Sequence, residues 1–278
     1  MRLPSTLSLL AILTAELAAQ SPAPTPAAAA APAPAPAAPA PPPPPSILGF
    51  ALTGSATIGS QYIFRGLTQT DGKPTVQAEL DLVHPSGFYL SVAGSNITWI
   101  SDTPGFGGPV SAGVEADVWG GYKWAFAKDW ALDLGVYRYL YPGDLQNTGF
   151  NANTTEAYLG LSYSWASLKY SRIISNGDFG IPDSQGSSYV DLSLAIPLGE
   201  SGWSVLAHGG KTTFNTKSSA ANDLLGYTDY KLGVAVALKD WTLTLAGTNA
   251  DTKDAGYMNA YGRNIGKSRV TFTIGKAF

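Results

Sequence analysis

Three stretches of this chain alternate apolar and polar residues with a period of two, and that period limits the possible folds more than composition does. Residues 75–83 read Thr-Val-Gln-Ala-Glu-Leu-Asp-Leu-Val, with Val76, Ala78, Leu80 and Leu82 on one side and Gln77, Glu79 and Asp81 on the other. Residues 112–119 set Ala112, Val114, Ala116 and Val118 against Glu115 and Asp117. Residues 189–196 set Val190, Leu192, Leu194 and Ile196 against Tyr189, Asp191 and Ser193. Successive side chains of a strand point to opposite faces, so this alternation marks strands with one apolar and one polar face. Twelve segments are expected to be strands, near 52–66, 74–84, 87–97, 112–124, 130–141, 154–163, 166–174, 187–196, 202–213, 228–238, 240–249 and 268–277. Many are long enough to cross a bilayer when tilted and longer than the usual strand of a soluble sheet. After the N-terminal region no apolar run approaches the length of a transmembrane helix.

The connections alternate short and long. The short ones are Pro85-Ser86, 125–129, Ser164-Trp165, 197–201 and Lys239, and the long ones are 67–73, 98–111, 142–153, 175–186, 214–227 and 250–267. Transmembrane barrels of the bacterial outer membrane have short periplasmic turns and longer external loops. Trp124, Trp130, Trp165, Trp203 and Trp241, five of the seven tryptophans, flank the short connections, as an interfacial aromatic girdle requires. Tyr62, Phe64, Tyr139, Tyr141 and Tyr257 lie toward the other end and are expected to form the opposite girdle. The fold class is therefore all-β: a transmembrane antiparallel up-and-down barrel of about twelve strands over residues 47–278.

Two N-terminal segments stand apart from it. Residues 1–19 combine Arg2, an apolar run from Leu7 to Leu13 and a Leu17-Ala18-Ala19 cleavage pattern, as a signal peptide does. Residues 20–46 are almost only Ala and Pro, ending in five prolines and Ser46. They are expected to be a disordered, extended periplasmic linker of up to roughly 80 Å, able to reach the cell wall. Cysteine is absent, which excludes disulfides and thiolate chemistry. The net charge of −3 without a basic patch argues against nucleic acid as a partner.

The last strand ends Val-Thr-Phe-Thr-Ile-Gly-Lys-Ala-Phe, with Val270, Phe272, Ile274 and Phe278 on one parity. It resembles the terminal signal read by the barrel-assembly machinery, except that Lys276 stands where an apolar residue is usual. Residues 62–96, 132–144, 155–172, 187–199 and 229–251 resemble the TorF family of proteobacterial porins, most specifically through the stretch from Tyr62 to Pro74 that reads YIFRGLTQTDGKP. The resemblance implies an outer-membrane barrel of porin type, names no substrate and transfers no site residue.

No catalytic, cofactor-binding or metal-binding residues are expected. His84 precedes Pro85 in a turn, His208 lies mid-strand on the polar parity without a serine-centred motif, and the glycines at 105–108 do not follow a strand and open a helix. Charge gathers on the inward parity instead. Arg65, Glu79, Asp81, Glu115, Asp117, Lys123, Asp133, Glu156, Lys169, Asp191, Asp229, Lys231 and Arg269 are expected to line the lumen. Such a lining is either a charged eyelet that selects solutes or a set of pairs that plugs a narrow barrel. The leading expectation is a porin-like channel in outer-membrane lipid for passive diffusion of small polar solutes or ions. The rivals are a non-conducting structural barrel, a lipid hydrolase using His208 and a soluble periplasmic barrel.

Overall fold

The computed structural model describes residues 46–104, 110–143, 150–215 and 220–278. The signal peptide expected over 1–19 and the linker expected over 20–46, except Ser46, lie outside the described residues. Twelve strands build the wall: β1 (Phe50–Gly59), β2 (Thr75–Val83), β3 (Phe88–Asn96), β4 (Val114–Ala127), β5 (Trp130–Leu140), β6 (Thr154–Tyr163), β7 (Ala166–Ile173), β8 (Ser188–Pro197), β9 (Trp203–Thr213), β10 (Tyr227–Leu238), β11 (Trp241–Ala250) and β12 (Arg269–Ala277). Each pairs antiparallel with its sequence neighbours, and β1 pairs with both β2 and β12, so the sheet closes on itself. The closing register runs from Ser55 opposite Ala277 to Gly59 opposite Thr273. Ser46–Ile47 folds back along the start of β1, pairing Ser46 with Ala51. Among the described residues no helix is long and apolar enough to cross a membrane.

The short connections match their expected places within a few residues and obey hairpin chemistry. Ser164 (φ 43°) and Lys239 (φ 60°) each take the left-handed conformation at the first position of a two-residue turn, which matches the twist of the flanking strands. The turn expected at 125–129 is shorter than that, because β4 continues to Ala127 through a register shift between Ala125 and Ala127.

Alternation decides the two faces. Leu80, Val114, Val118 and Leu192 are exposed on the outer surface, while Glu79, Glu115, Asp117, Asp191 and Ser193 are buried inside. Trp124, Trp130, Trp165, Trp203 and Trp241 are 40–54% exposed and ring the short-turn end. Lys276 is also outward, its Nζ 5.2 Å from the centre of the Trp241 ring. A cation over an aromatic face at the barrel rim is favourable, and this accounts for a lysine on an apolar parity. Phe278 exchanges two backbone hydrogen bonds of 3.0 Å with Gly54, extending the seam beyond the last strand residue.

Three expectations are corrected. The first strand ends at Gly59, not near 66, because Ile63–Phe64 and Leu67–Thr68 pair as a separate small hairpin. Tyr62, Phe64, Tyr139, Tyr141 and Tyr257 form no outer girdle, since all five are buried. For Tyr139 the cause is parity, which puts it on the same face of β5 as the buried Asp133. Tyr62 and Phe64 follow the chain out of the wall. Ala112 precedes β4 and is buried instead of joining the outer face of Val114 and Val118.

In lipid vesicles the outer belt meets acyl chains. Replacing Leu80, Val118 or Leu192 by arginine is expected to cost about 2–4 kcal/mol near mid-bilayer depth, whereas Gln77→Ala on the inner face changes stability far less. Denaturant unfolding of the reconstituted variants reads the difference, and equal costs on both faces would refute the assignment of faces.

Candidate functional site

The inner face is polar where the outer one is apolar, and one segment of chain crosses it. After β1 the backbone turns inward, and Phe64 pairs with Leu67 around Arg65 (φ 46°) and Gly66 (φ 77°). Two consecutive left-handed residues make the turn of a tight two-residue hairpin. Its tip reaches several parts of the wall. Arg65 Nη2 donates to both carboxylate oxygens of Glu156 on β6, at 2.7 and 2.8 Å. The guanidinium lies 4.3 Å from the centre of the Tyr189 ring on β8. Gly66 packs so closely on Asp229 of β10 that a Cβ there would overlap the Asp229 side chain. At the base of the hairpin the Tyr62 hydroxyl donates to Glu115 Oε1 at 2.7 Å.

Tyrosines complete the filling, and glycines make room for two of them. A Cβ at Gly135 would occupy the place of the Tyr158 hydroxyl, and one at Gly210 the place of the Tyr189 hydroxyl. Each ring therefore lies flat on the neighbouring strand and delivers its hydroxyl to a polar group. Tyr158 meets the Tyr89 hydroxyl, which donates to Asp133 at 2.7 Å. Tyr189 donates to Asp229 Oδ2 at 3.0 Å.

The thirteen charges expected to line the lumen fall into distinct groups. Glu79, Asp81, Glu115 and Asp117 form an acidic patch across β2 and β4. In it Asp81 accepts from Ser91, Glu115 from Tyr62 and Tyr141, and Asp117 from Tyr137. Lys123 and Asp133 are cross-strand neighbours on β4 and β5. Lys169 and Asp191 are neighbours on β7 and β8, with Lys169 Nζ 4.0 Å above the Tyr158 ring. Arg65 meets Glu156, although the hairpin and not a wall strand carries it. Asp229 and Lys231 on β10 flank His208. Arg269 lies apart at the long-loop end, 3.9 Å from Asp71, which also pairs with Arg263. Nine of the thirteen are buried, and Asp81, Lys123, Lys231 and Arg269 are partly so.

Sequence reading missed the partners of His208. Ser193 Oγ lies 2.8 Å from His208 Nδ1, and His208 Nε2 lies 3.0 Å from Asp229 Oδ1. This is the order of a serine–histidine–acid relay, but all three side chains are buried on the inner face. Ser193 also donates to Asp191 at 3.2 Å, and its backbone sits in ladders with both Ser167 and His208. Backbone donors committed to ladders offer no oxyanion hole, so the group acts as a hydrogen-bond chain tying β8, β9 and β10 together. Alternation placed Ser193 and His208 on the inner parity, but their cross-strand register was the missing signal.

Above the hairpin, at the long-loop end, all six long connections converge around a cavity of about 240 Å³. Asp178, between β7 and β8, is among the groups there that sequence reading did not select. Burial pushes its carboxyl up to about 7, the Glu156 carboxylate pushes it the same way, and Arg65 opposes both. A carboxyl raised above its unfolded value holds its proton more tightly when folded, so the folded state loses stability as pH climbs from about 4 toward 7. Asp178→Asn should flatten this part of the stability profile, read as denaturant midpoints across that pH range. An unchanged slope would show that other groups carry it.

The family model described as "Bacterial protein of unknown function (Gcw_chp)" matches residues 46–278. No curated protein sequence matches the chain. Among solved structures, a KdgM porin aligns with a TM-score of 0.49 and 8% identity over 81% of this chain and 98% of its own. A NanC porin aligns at 0.47 and 12% identity over 82% and 99%. The outer membrane protein OprD from Pseudomonas aeruginosa aligns at 0.36 and 11% identity over 84% and 65%. The architecture described above rests on the strand pairing of this chain itself.

Proposed function

The chain belongs to the bacterial Gcw_chp family, whose model spans the whole barrel, and we propose that this barrel is an outer-membrane channel for small polar solutes or ions, constricted by the Arg65 hairpin. The exposed apolar belt and the tryptophan ring at the short-turn end support the membrane location. The finer resemblance to TorF-family porins, carried by the stretch from Tyr62 to Pro74, belongs to the same reading.

One observation carries the channel. Among the described residues, six buried inner-face oxygens on five strands have no hydrogen-bond partner: Thr57 Oγ1, Asp117 Oδ1, Ser171 Oγ, Asp191 Oδ2, Thr244 Oγ1 and Thr248 Oγ1. Leaving such a group unsatisfied costs about 1–3 kcal/mol, and a dry plug would repeat that penalty along its whole height. In the proposed channel, water admitted to the interior satisfies these groups. The residues proposed to line the path are the thirteen charges named above, eight acidic and five basic. That surplus of acid, strengthened in a bore with low-dielectric walls, favours cations.

A second reading is favoured by the hairpin itself, which lies across the bore as a plug would in a non-conducting structural barrel. Conductance of the purified barrel in a planar bilayer decides between them. The channel is expected to pass a small current with weak cation selectivity, measured as reversal potential under a salt gradient. The selectivity should fade at high salt as the charges are screened. A variant combining Arg65→Ala with Glu156→Ala removes the tie without leaving an unpaired charge and should raise conductance. Clear anion selectivity would reject the acidic path, and silence of both proteins would leave the structural barrel.

A further inference from the structure

The cavity at the long-loop end is built differently from the bore beneath it. The bore is lined by carboxylates, hydroxyls and tyrosines, whereas much of the cavity wall is aromatic, drawn from separate connections. Trp99 meets Tyr141 edge-on at 5.4 Å and 90°, and Phe64 meets Phe179 at 5.5 Å and 67°. Tyr257 closes another side, held by its hydroxyl on the carbonyl of Leu225 and by the Tyr227 ring 5.3 Å away. Edge-to-face packing locks rings against one another. Aromatic walls with a few convergent polar groups are the usual make-up of a small-molecule site.

The polar groups on this wall are fixed but incompletely used. Arg65, Asp178 and Asn259 are only 4%, 4% and 7% exposed. Arg65 holds Glu156 through Nη2 while its Nε has no partner. Asn259 Oδ1 accepts from the backbone nitrogens of Tyr261 and Arg263, which fixes the amide, and its Nδ2 has no partner. Trp99 Nε1 and Asp178 Oδ1 are likewise unpartnered. Among the described residues, the wall thus holds three donors and one carboxyl oxygen that the protein itself leaves unused.

Charge narrows the choice. The Arg65 guanidinium is neutralised by Glu156, and Asp71 at the rim is flanked by Arg263 and Arg269. Among the described residues, an anion entering the cavity would find no uncommitted cation beside it. An ammonium would face three donors. A hexose would carry more hydroxyls than this wall can pair, and each one left over against aromatic rings is costly.

We propose that the cavity is a binding site for an uncharged aromatic ring compound bearing two or three oxygen acceptors and one hydroxyl, a small phenolic carbonyl compound in chemical terms. The ring stacks among Trp99, Tyr141 and Phe179. Its carbonyl and ether or phenolic oxygens accept from Arg65, Trp99 and Asn259, and its hydroxyl donates to Asp178. The site stands at the mouth of the proposed channel, yet binding does not require the bore to conduct.

The test is isothermal titration of the full purified barrel in detergent micelles at pH 6, with 4-hydroxybenzaldehyde as the probe and benzoate and glucose as comparators. Saturable binding of the aldehyde is expected, with benzoate and glucose both much weaker. Trp99→Phe keeps a ring and removes one donor, and Asp178→Ala removes the acceptor. Each should weaken binding about five- to tenfold, the loss of one hydrogen bond, while the heat-modifiable gel shift of the barrel stays normal. Equal or tighter binding of benzoate or glucose, no saturable heat, or unchanged affinity in both variants would overturn the site. Conductance on the same preparation separates the two readings. Current without aldehyde binding removes the site and leaves the channel, and aldehyde binding without current supports the site and removes the channel.

Discussion

A guanidinium inside a barrel wall needs an opposite charge within reach, and the pairing of Arg65 with Glu156 organises much of what surrounds it. Taking either ion alone out of water costs several kcal/mol, so such a pair holds only with close geometry and further contacts. The Tyr189 ring face beneath the guanidinium is one of those contacts. The pair sets where the hairpin tip must sit, and the tip sets the rest. Gly66 has to be glycine to lie against Asp229, the Phe64 ring is carried into the aromatic cluster with Tyr139 and Phe179, and the Tyr62 hydroxyl is brought onto Glu115. With the tip fixed, Phe64, Arg65 and Leu67 become part of the lining of the cavity at the long-loop end.

Twelve strands enclose more room than side chains fill by default and less than an open porin lumen. Tyrosine meets this intermediate case because it fills space with its ring and satisfies a polar group with its hydroxyl. Tyr62 and Tyr141 both donate to Glu115, Tyr137 to Asp117, Tyr89 to Asp133 and Tyr189 to Asp229. Inner-face carboxylates are thereby held by neutral donors as well as by cations, which leaves a surplus of acid without leaving those carboxylates bare.

The wall was legible in the sequence because its signals are local. Alternation in residues 75–83 and 189–196 fixes which face of β2 and β8 turns outward, and the tryptophans beside the short turns fix one end. The interior was less legible because its contacts join residues far apart. Nothing near Arg65 says that its partner is Glu156, and nothing near Ser193 says that the register of β8 on β9 brings His208 beside it. The expected girdle of Tyr139 and Tyr141 failed for a different reason. Both share the parity of Asp133, so the alternation rule already pointed them inward, and nearness to the strand end was given more weight than phase. For Tyr62 and Phe64 the phase ended at Gly59, where the chain leaves the sheet. The two glycine-bearing turns at Arg65-Gly66 and Asp71-Gly72 were the only local trace of the inward fold.

The inner wall is also uneven around its circumference, and this bears on where a solute would pass in the proposed channel. From β2 to β10 the inner face carries the charges and the tyrosines. Across β11, β12 and β1 it carries Thr242, Thr244, Thr248, Thr271, Ser55 and Thr57, with Arg269 confined to the rim. Bulky rings therefore crowd one side, and short hydroxyl side chains line the other. A small void of about 30 Å³ lies where these sides meet, between Ser55 and Thr57 of β1 and the acidic patch of Glu79, Glu115 and Asp117. In the proposed channel, a path along the threonine wall would run past hydroxyl oxygens on one flank and carboxylates on the other, an oxygen-rich surround suited to a partly hydrated cation. The hairpin springs from the end of β1, beside that wall. In the proposed channel its position would set how much of the hydroxyl-lined strip is open, so that selectivity and constriction would depend on the same few residues.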